Sequence, residues 1–285
     1  MTTNVLVVED DLEINELLGE YLALENLGYL KATTGQAGIH LAQTQHPDAI
    51  ILDLMLPDVD GFEVARRLTG QRATYDVPVI ILSCLCQDID KEKGFKCGAL
   101  SYLSKPFLPD DLLATLRQTL AWKAALPTRP PAGTALLGCA NDAFASAKAF
   151  NQMAADLFAR TNLSDQAVAD IRAAMELLST WAQQWRAEHP GAAKLRVDYQ
   201  ITPGGVVEWK MTEEEPGLLE DAFFKPAVNG GRGAGWGTKA LRGKPEGAEE
   251  AAVAAKWGEI LVLTGAARFE KDAQARWVRW ARGAV

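Results

Sequence analysis

The sequence has little cysteine, little histidine, no long apolar run and no excess of positive charge, and each shortage removes a class of protein. Four cysteines in 285 residues, Cys84, Cys86, Cys97 and Cys139, are too few and too irregularly spaced for a disulfide framework. They read as reduced small hydrophobes. With only three histidines to share, and with Cys84 and Cys86 forming a C-x-C pair without nearby partners, a zinc-type site is a poor fit. No segment approaches the roughly 18 apolar residues that a membrane span needs. The N-terminal MTTNVLVVEDD runs straight into a strand pattern rather than a signal-like core. A cytoplasmic location without membrane association is the resulting expectation. Residues 1–124 hold 10 Lys and Arg against 18 Asp and Glu, while residues 125–285 hold 19 of each. The net charge of −8 therefore sits entirely in the first segment, and neither half carries the basic footprint expected of a nucleic-acid binder.

What is present is regular alternation. NVLVV (4–8), YLKAT (29–33), AIILDL (49–54), VPVIIL (77–82) and ALSYL (99–103) read as strands, several of them too uniformly apolar to have a wet face. Between them INELLGEYLALENLG, GQAGIHLAQTQ, DGFEVARRLTGQ and 88–97 carry helical spacing, and DDLLATLRQTLAWKAAL closes the series. Five strand–helix pairs predict an α/β, doubly wound five-stranded parallel sheet over 1–124, which binds ligands beyond the carboxyl ends of its strands. LPTRPPAGTALLG then reads as a linker, 125–137. The remainder, 138–285, is predicted to be an α+β domain with helices first and mostly antiparallel strands after. One helix places Phe144, Ala147, Phe150, Met153, Ala154 and Leu157 on a single face. A second, capped by Ser164, repeats Val168, Ile171, Met175, Leu178, Ala182 and Trp185. KLRVDYQITPGGVVEWKMT has the pattern of a hairpin turning at Thr202–Gly205. A glycine-rich loop, an Ala-rich helix EGAEEAAVAAKW and the strands EILVLTG and ARWVRWA follow.

Three acids fall at strand ends: Glu9 and Asp10 after NVLVV, and Asp53 after AIIL. In a parallel sheet these ends share one edge, so the carboxylates should converge, and converged carboxylates repel unless a hard divalent cation such as Mg²⁺ joins them. Lys105 supplies a cation after the fifth strand and Ser83 a hydroxyl after the fourth. Together they make a phosphoryl-transfer site with a carboxylate nucleophile. A strand-end Asp is by itself usually a turn residue; five such residues at matching strand ends favour the site.

VLVVEDD, ILDLMLPDVDGFEV, VIILS and SYLSKPF resemble the signature segments of the response-regulator receiver family, in order and spacing, over about residues 3–122. The resemblance implies that Asp53 accepts a phosphoryl group from a histidine kinase or phosphotransfer protein. It implies that Glu9, Asp10, Asp53 and the backbone carbonyl of Met55 hold Mg²⁺, and that Lys105 pairs with the phosphoryl oxygens. Ser83 would hydrogen-bond the phosphoryl group, and Tyr102 would swing inward with it as a switch. Pro57 and Gly61 would turn the chain away from Asp53, and Pro106 would fix the peptide that aims Lys105. Phosphorylation is then expected to remodel the face of helix 4, strand 5 and helix 5, where a receiver homodimer could form. Cys84, Cys86 and the pair Leu100–Ser101 depart from the residues common in that family.

The second half is similar in its order of elements to the GHKL ATP-binding fold of histidine kinases and anti-sigma-factor serine kinases. Glu176 is in place, but Thr180 stands where that family has a Mg²⁺-coordinating Asn. Glu213 replaces its Asp, Glu215 a Gly, and Gly217 remains; Gly231 and Gly233 lie in the glycine-rich segment. Thr180 is a poorer Mg²⁺ ligand than an amide, and Glu215 puts bulk where a nucleotide needs the backbone. No enzyme activity is expected beyond the receiver's own aspartyl phosphorylation and dephosphorylation. The leading expectation is an output domain that binds a regulatory protein. DNA is the less favoured target, because helix 165–187 carries Asp165, Asp170 and Glu176 rather than a basic face, although ARWVRWARG could contact phosphates or stack bases. A nucleotide-binding output enzyme is the third.

Overall fold

The structure, a computed structural model, describes residues 3–128, 130–137, 143–188, 195–203, 205–213, 268–271 and 277–282. The chain divides into two compact units, Met1–Arg129 and Pro130–Val285. Among the described residues no helix is long and apolar enough to cross a membrane.

The first unit alternates β1 (Asn4–Val8), α1 (Leu12–Leu24), β2 (Gly28–Ala32), α2 (Gly35–Gln45), β3 (Ala49–Leu52), α3 (Gly61–Thr69), β4 (Val79–Ser83), α4 (Asp88–Lys96), β5 (Ser101–Ser104) and α5 (Pro109–Ala125). The strands pair in parallel in the order β2-β1-β3-β4-β5, the doubly wound sheet expected from the sequence. Side chains alternate across each strand. Val5, Val7, Ile51, Ile80 and Leu82 pack with Leu18 and Leu22 of α1 and Leu112 and Leu116 of α5. Leu6, Val8, Ile50 and Leu52 pack on the other face with Ile39 and Ala42 of α2 and Val64, Ala65 and Leu68 of α3. Both faces are dry, which is why these strands read as unbroken apolar runs.

The starts of α1, α2 and α3 are each closed by a short polar side chain. Asp11 accepts from the amides of Glu13 and Ile14, and Asp60 from Phe62. At α2, Thr34 accepts from Ala37 N–H. The two amides before it, Gly35 and Gln36, donate instead to the two carboxylate oxygens of Asp58, at 2.7 and 3.0 Å. The Asp58 carboxyl is held below its usual range by these backbone bonds, Gln36 foremost.

In the second unit the sheet is antiparallel throughout, ordered β6-β7-β8-β10-β9. Its strands are β6 (Ala132–Leu137), β7 (Leu195–Ile201), β8 (Val207–Glu213), β9 (Arg268–Lys271) and β10 (Trp277–Arg282), with α6 (Ala143–Arg160) and α7 (Asp165–Glu188) following β6. The predicted linker 125–137 is therefore shorter: α5 runs to Ala125, and Ala132–Leu137 is an edge strand paired with β7. A strand, not a helix, opens this unit. Pro and Gly suggested a linker there, but Gly133 stands opposite Tyr199, and a Cβ on it would lie 2.5 Å from the tyrosine ring. The glycine serves packing, a role that local sequence does not distinguish from flexibility.

The helical stripes fall where the sequence placed them at nine positions, while the side chains of Phe144, Ala182 and Trp185 lie outside those described. Ala147, Phe150, Met153, Ala154 and Leu157 are buried on α6, as are Val168, Ile171, Met175 and Leu178 on α7, and Ser164 caps α7 through Ala167 N–H. Beneath the sheet Tyr199 donates a 2.6 Å hydrogen bond to the buried carboxylate of Asp156 on α6. Tyr199→Phe is expected to cost about 1–2 kcal/mol, the loss of one hydrogen bond to a buried carboxylate that keeps its bond from Gln152. Denaturant midpoints of the two proteins measure it, and equal midpoints would contradict the assignment. The Ala-rich helix, the strand EILVLTG and the glycine-rich loop fall outside the described residues.

Candidate functional site

The sheet order itself builds the site. The chain leaves β1 toward β2 on one side and reaches β3 on the other, so the carboxyl ends of β1 and β3 flank the point where the winding reverses. Val8 and Leu52 are register partners, so the next residues, Glu9 and Asp53, emerge side by side. Ser83 pairs with Ser104 one strand further on, and Lys105 follows, its amide donating to Ser83 O at 2.9 Å.

Glu9, Asp10 and Asp53 can bring one oxygen each within 4.8 Å of one another. Glu9 and Asp53 are 2% and 5% exposed, whereas Asp10 is open to solvent. Lys105 Nζ stands between the two buried acids, 2.6 Å from Glu9 Oε2 and 2.9 Å from Asp53 Oδ2. The other Asp53 oxygen, Oδ1, accepts from the amides of Leu54 (2.6 Å) and Met55 (3.3 Å). The Lys105–Pro106 peptide is cis. Ser83 is fully buried and its Oγ accepts from Leu85 N–H at 3.4 Å. Tyr102 is half-buried, and its hydroxyl donates to Leu85 O at 2.6 Å. Burial, reinforced by Asp90, carries its pKa up to about 12, so the phenol keeps its proton and remains a donor at neutral pH.

Three carboxylates against one ammonium leave the cluster with an excess of negative charge. Burial raises the pKa of Glu9 to about 7, opposed by its hydrogen bond to Lys105 and reinforced by the Asp53 charge. For Lys105, burial works downward but is outweighed by Glu9 and Asp53, and its pKa rises. An all-oxygen donor set with one open, hydrated corner fits a hard divalent cation, which retains part of its water shell.

A pH dependence follows. A carboxyl whose folded pKa is raised takes up a proton on folding, so its contribution to stability is least unfavourable at low pH and worsens as pH rises toward the folded value of about 7. A cation must displace that proton. Mg²⁺ affinity is therefore expected to strengthen between about pH 6 and 8 with net proton release. Calorimetric titrations in buffers of different ionisation enthalpy measure both, and an affinity independent of pH would contradict it.

Two contributors were not singled out from sequence. Asn15 of α1 is fully buried and donates to Glu9 O (2.7 Å) and Ala32 O (2.9 Å), tying the end of β1 to the first helix. Its signal was an amide in register with the apolar stripe Leu18 and Leu22. The second is Asp58 of the β3–α3 loop, which accepts from the Gly35 and Gln36 amides of α2.

Of the residues considered for a nucleotide site, Glu176, Thr180 and Glu213 are among the described residues. Glu176 and Thr180 lie one turn apart on α7, where the exposed Thr180 hydroxyl donates to Glu176 O at 3.0 Å within the helix. Glu213 ends β8. Glu215, Gly217, Gly231 and Gly233 lie outside the described residues, and the GHKL resemblance finds no support.

Residues 5–117 match the response regulator receiver domain family. This segment is a receiver domain. The chain is 41% identical over 123 residues to the DNA-binding dual master transcriptional regulator RpaA of Synechocystis sp., covering 43% of this chain and 51% of that protein. It is 43% identical over 129 residues to the KDP operon transcriptional regulatory protein KdpE of Escherichia coli, covering 45% and 56%. The chain thus spans about half the length of the curated relatives it matches. Among solved structures it is similar to a putative response regulator from Chloroflexus aurantiacus, with 30% identity, a TM-score of 0.41, and coverage of 42% of this chain and 99% of that one. A second is the BeF3-activated receiver domain of RstA from Klebsiella pneumoniae, with 32% identity, a TM-score of 0.39 and coverage of 41% and 97%.

Proposed function

We propose that this chain is a two-component response regulator whose receiver takes a phosphoryl group onto Asp53 from a histidine kinase or phosphotransfer protein. The observation that carries the reading is the convergence of Glu9, Asp10 and Asp53 at the switch point of the sheet, with Lys105 between Glu9 and Asp53. Asp53 Oδ1 is committed to two backbone amides, so Oδ2 is the oxygen left to attack phosphorus. The new O–P bond forms as the P–N bond to the donor imidazole breaks, and the imidazole nitrogen leaves with the electron pair and takes a proton from solvent. Lys105 passes its hydrogen bond from Oδ2 to a phosphoryl oxygen, neutralising charge that the transfer brings into a buried pocket. Glu9, Asp10, Asp53 and the Met55 carbonyl would hold Mg²⁺, which supplies charge neutralisation and orients the phosphoryl oxygens.

Ser83 and Tyr102 carry the consequence outward. Both meet at Leu85, Ser83 through the Leu85 amide and Tyr102 through its carbonyl. A phosphoryl group that recruits the Ser83 hydroxyl draws on the loop that Tyr102 holds, and with it on the face of α4, β5 and α5, where a receiver homodimer is the proposed product. The test is incubation of the full chain with acetyl phosphate. A mass gain of one phosphoryl group that requires Mg²⁺ and disappears with chelator is expected, and no gain under any condition would overturn the reading.

For the output, the descriptions carried by the relatives favour transcriptional regulation. A protein-interaction output is the second reading, supported by the balance of 19 basic and 19 acidic residues over 125–285. Duplex DNA separates the two. A transcriptional output predicts binding that strengthens with acetyl phosphate and falls steeply with salt; no binding at low salt would favour a protein partner.

A further inference from the structure

We propose that Asp58 is a positioning residue of the phosphorylation site, anchoring the β3–α3 loop so that the Met55 carbonyl is held toward the carboxylate cluster. The inference rests on the phosphoacceptor reading of Asp53. The loop from Leu54 to Asp60 closes on itself where Gly61 N–H donates to Leu54 O at 3.1 Å. Its near end is fixed by the amides of Leu54 and Met55 on Asp53 Oδ1. Its far side reaches across to a different element: Asp58 Oδ1 accepts from Gly35 N–H and Oδ2 from Gln36 N–H. The approach is close, since a Cβ on Gly35 would meet Val64 Cγ2 at 2.8 Å and Val59 Cβ at 3.3 Å.

This bridge engages both carboxylate oxygens, and α2 is itself fixed in the core through Ile39 and Ala42. The first three amides of α2 are thereby all satisfied, two by Asp58 and the third by Thr34. Thr34 and Asp58 thus cap the same helix end, but only Asp58 belongs to the loop that carries Met55. A helix needing only a cap could draw it from its own N-terminal side, as it does with Thr34. The additional bridge ties a loop whose Met55 is 63% exposed to a buried helix.

The two roles separate experimentally. Mg²⁺ titration of the full chain by calorimetry is compared for wild type, Asp58→Ala, Asp58→Asn and Thr34→Ala, together with amide hydrogen exchange at Leu54 and Met55. The expected result is an Mg²⁺ affinity weakened about tenfold in Asp58→Ala, as for other groups that orient metal ligands. Faster exchange at Leu54 and Met55, partial rescue by Asp58→Asn and unchanged Mg²⁺ affinity in Thr34→Ala complete the pattern. Asp58→Asn, which keeps an acceptor, also serves should the alanine variant not fold. Equal Mg²⁺ affinity in wild type and the Asp58 variants would overturn the proposal while leaving the phosphoacceptor reading intact. Equal weakening in Thr34→Ala would also overturn it, reducing Asp58 to a helix cap. Wild type that binds no Mg²⁺ would overturn both.

Discussion

Asp53→Asn is expected to take up no phosphoryl group from acetyl phosphate, and in metal-free buffer to melt above the wild type. The two halves of that result have one cause. The amide keeps the shape of the carboxylate, and its oxygen still accepts from Leu54 and Met55 N–H, so the loop is undisturbed, while its nitrogen replaces Oδ2 and gives up the bond from Lys105, which keeps Glu9. It cannot supply the anionic oxygen that attacks phosphorus. At the same time a negative charge disappears from a cluster whose acids lie within 4.8 Å of one another. Two like charges at that separation repel by about 3 kcal/mol at an effective dielectric constant of 20. Lys105, shared between Glu9 and Asp53, already offsets part of this, and a gain of about 1–2 kcal/mol is what remains. Saturating Mg²⁺ should reverse the ranking, because it stabilises only the protein that keeps three acids. Melting curves with and without Mg²⁺ test it; a variant less stable than wild type in chelator would contradict the repulsive cluster.

Gly61→Ala is expected to destabilise the first unit strongly. An added Cβ would stand 2.4 Å from Leu54 Cα and 2.6 Å from Asp53 O. Both are backbone atoms, so no rotamer change relieves the clash, and the loop must move away from α3. Overpacking of this kind costs about 3 kcal/mol. Because the atoms displaced belong to Asp53 and its neighbour, phosphorylation from acetyl phosphate should slow as well. A denaturant midpoint and a phosphorylation rate both within error of wild type would show that the loop has slack the structure does not contain.

These two residues mark how much of the site was legible. Acids at the ends of apolar runs, a lysine after the last strand and a glycine after a proline turn are local signals, and parallel pairing forces such strand ends onto one edge. The site could therefore be read once the sheet was. The contributions of Asn15 and Asp58 depend on which amides of distant elements come within reach. Nothing in the neighbouring sequence distinguishes Asp58, bridging to α2, from Asp60, which caps its own helix through Phe62. The second unit was less legible for a related reason. Its helical stripes and the hairpin of β7 and β8 follow from periodicity, but β6 is made a strand by β7, some sixty residues on, and Gly133 by the ring of Tyr199. Long-range pairing decided what proline and glycine alone suggested was a linker. The GHKL comparison rested on element order, and four of its seven residues lie outside the described part of the chain.

Phosphorus is expected to become bonded to one particular oxygen-bearing side chain, that of Asp53. Borohydride reduces an aspartyl phosphate to homoserine. Treating the wild-type chain with acetyl phosphate and Mg²⁺, then with borohydride, and sequencing its peptides by mass spectrometry therefore reads the position directly. Homoserine at position 53, absent when Mg²⁺ is chelated, is the predicted outcome. Homoserine at Asp10 or elsewhere, or an unmodified Asp53 in protein that has gained phosphate, would contradict it.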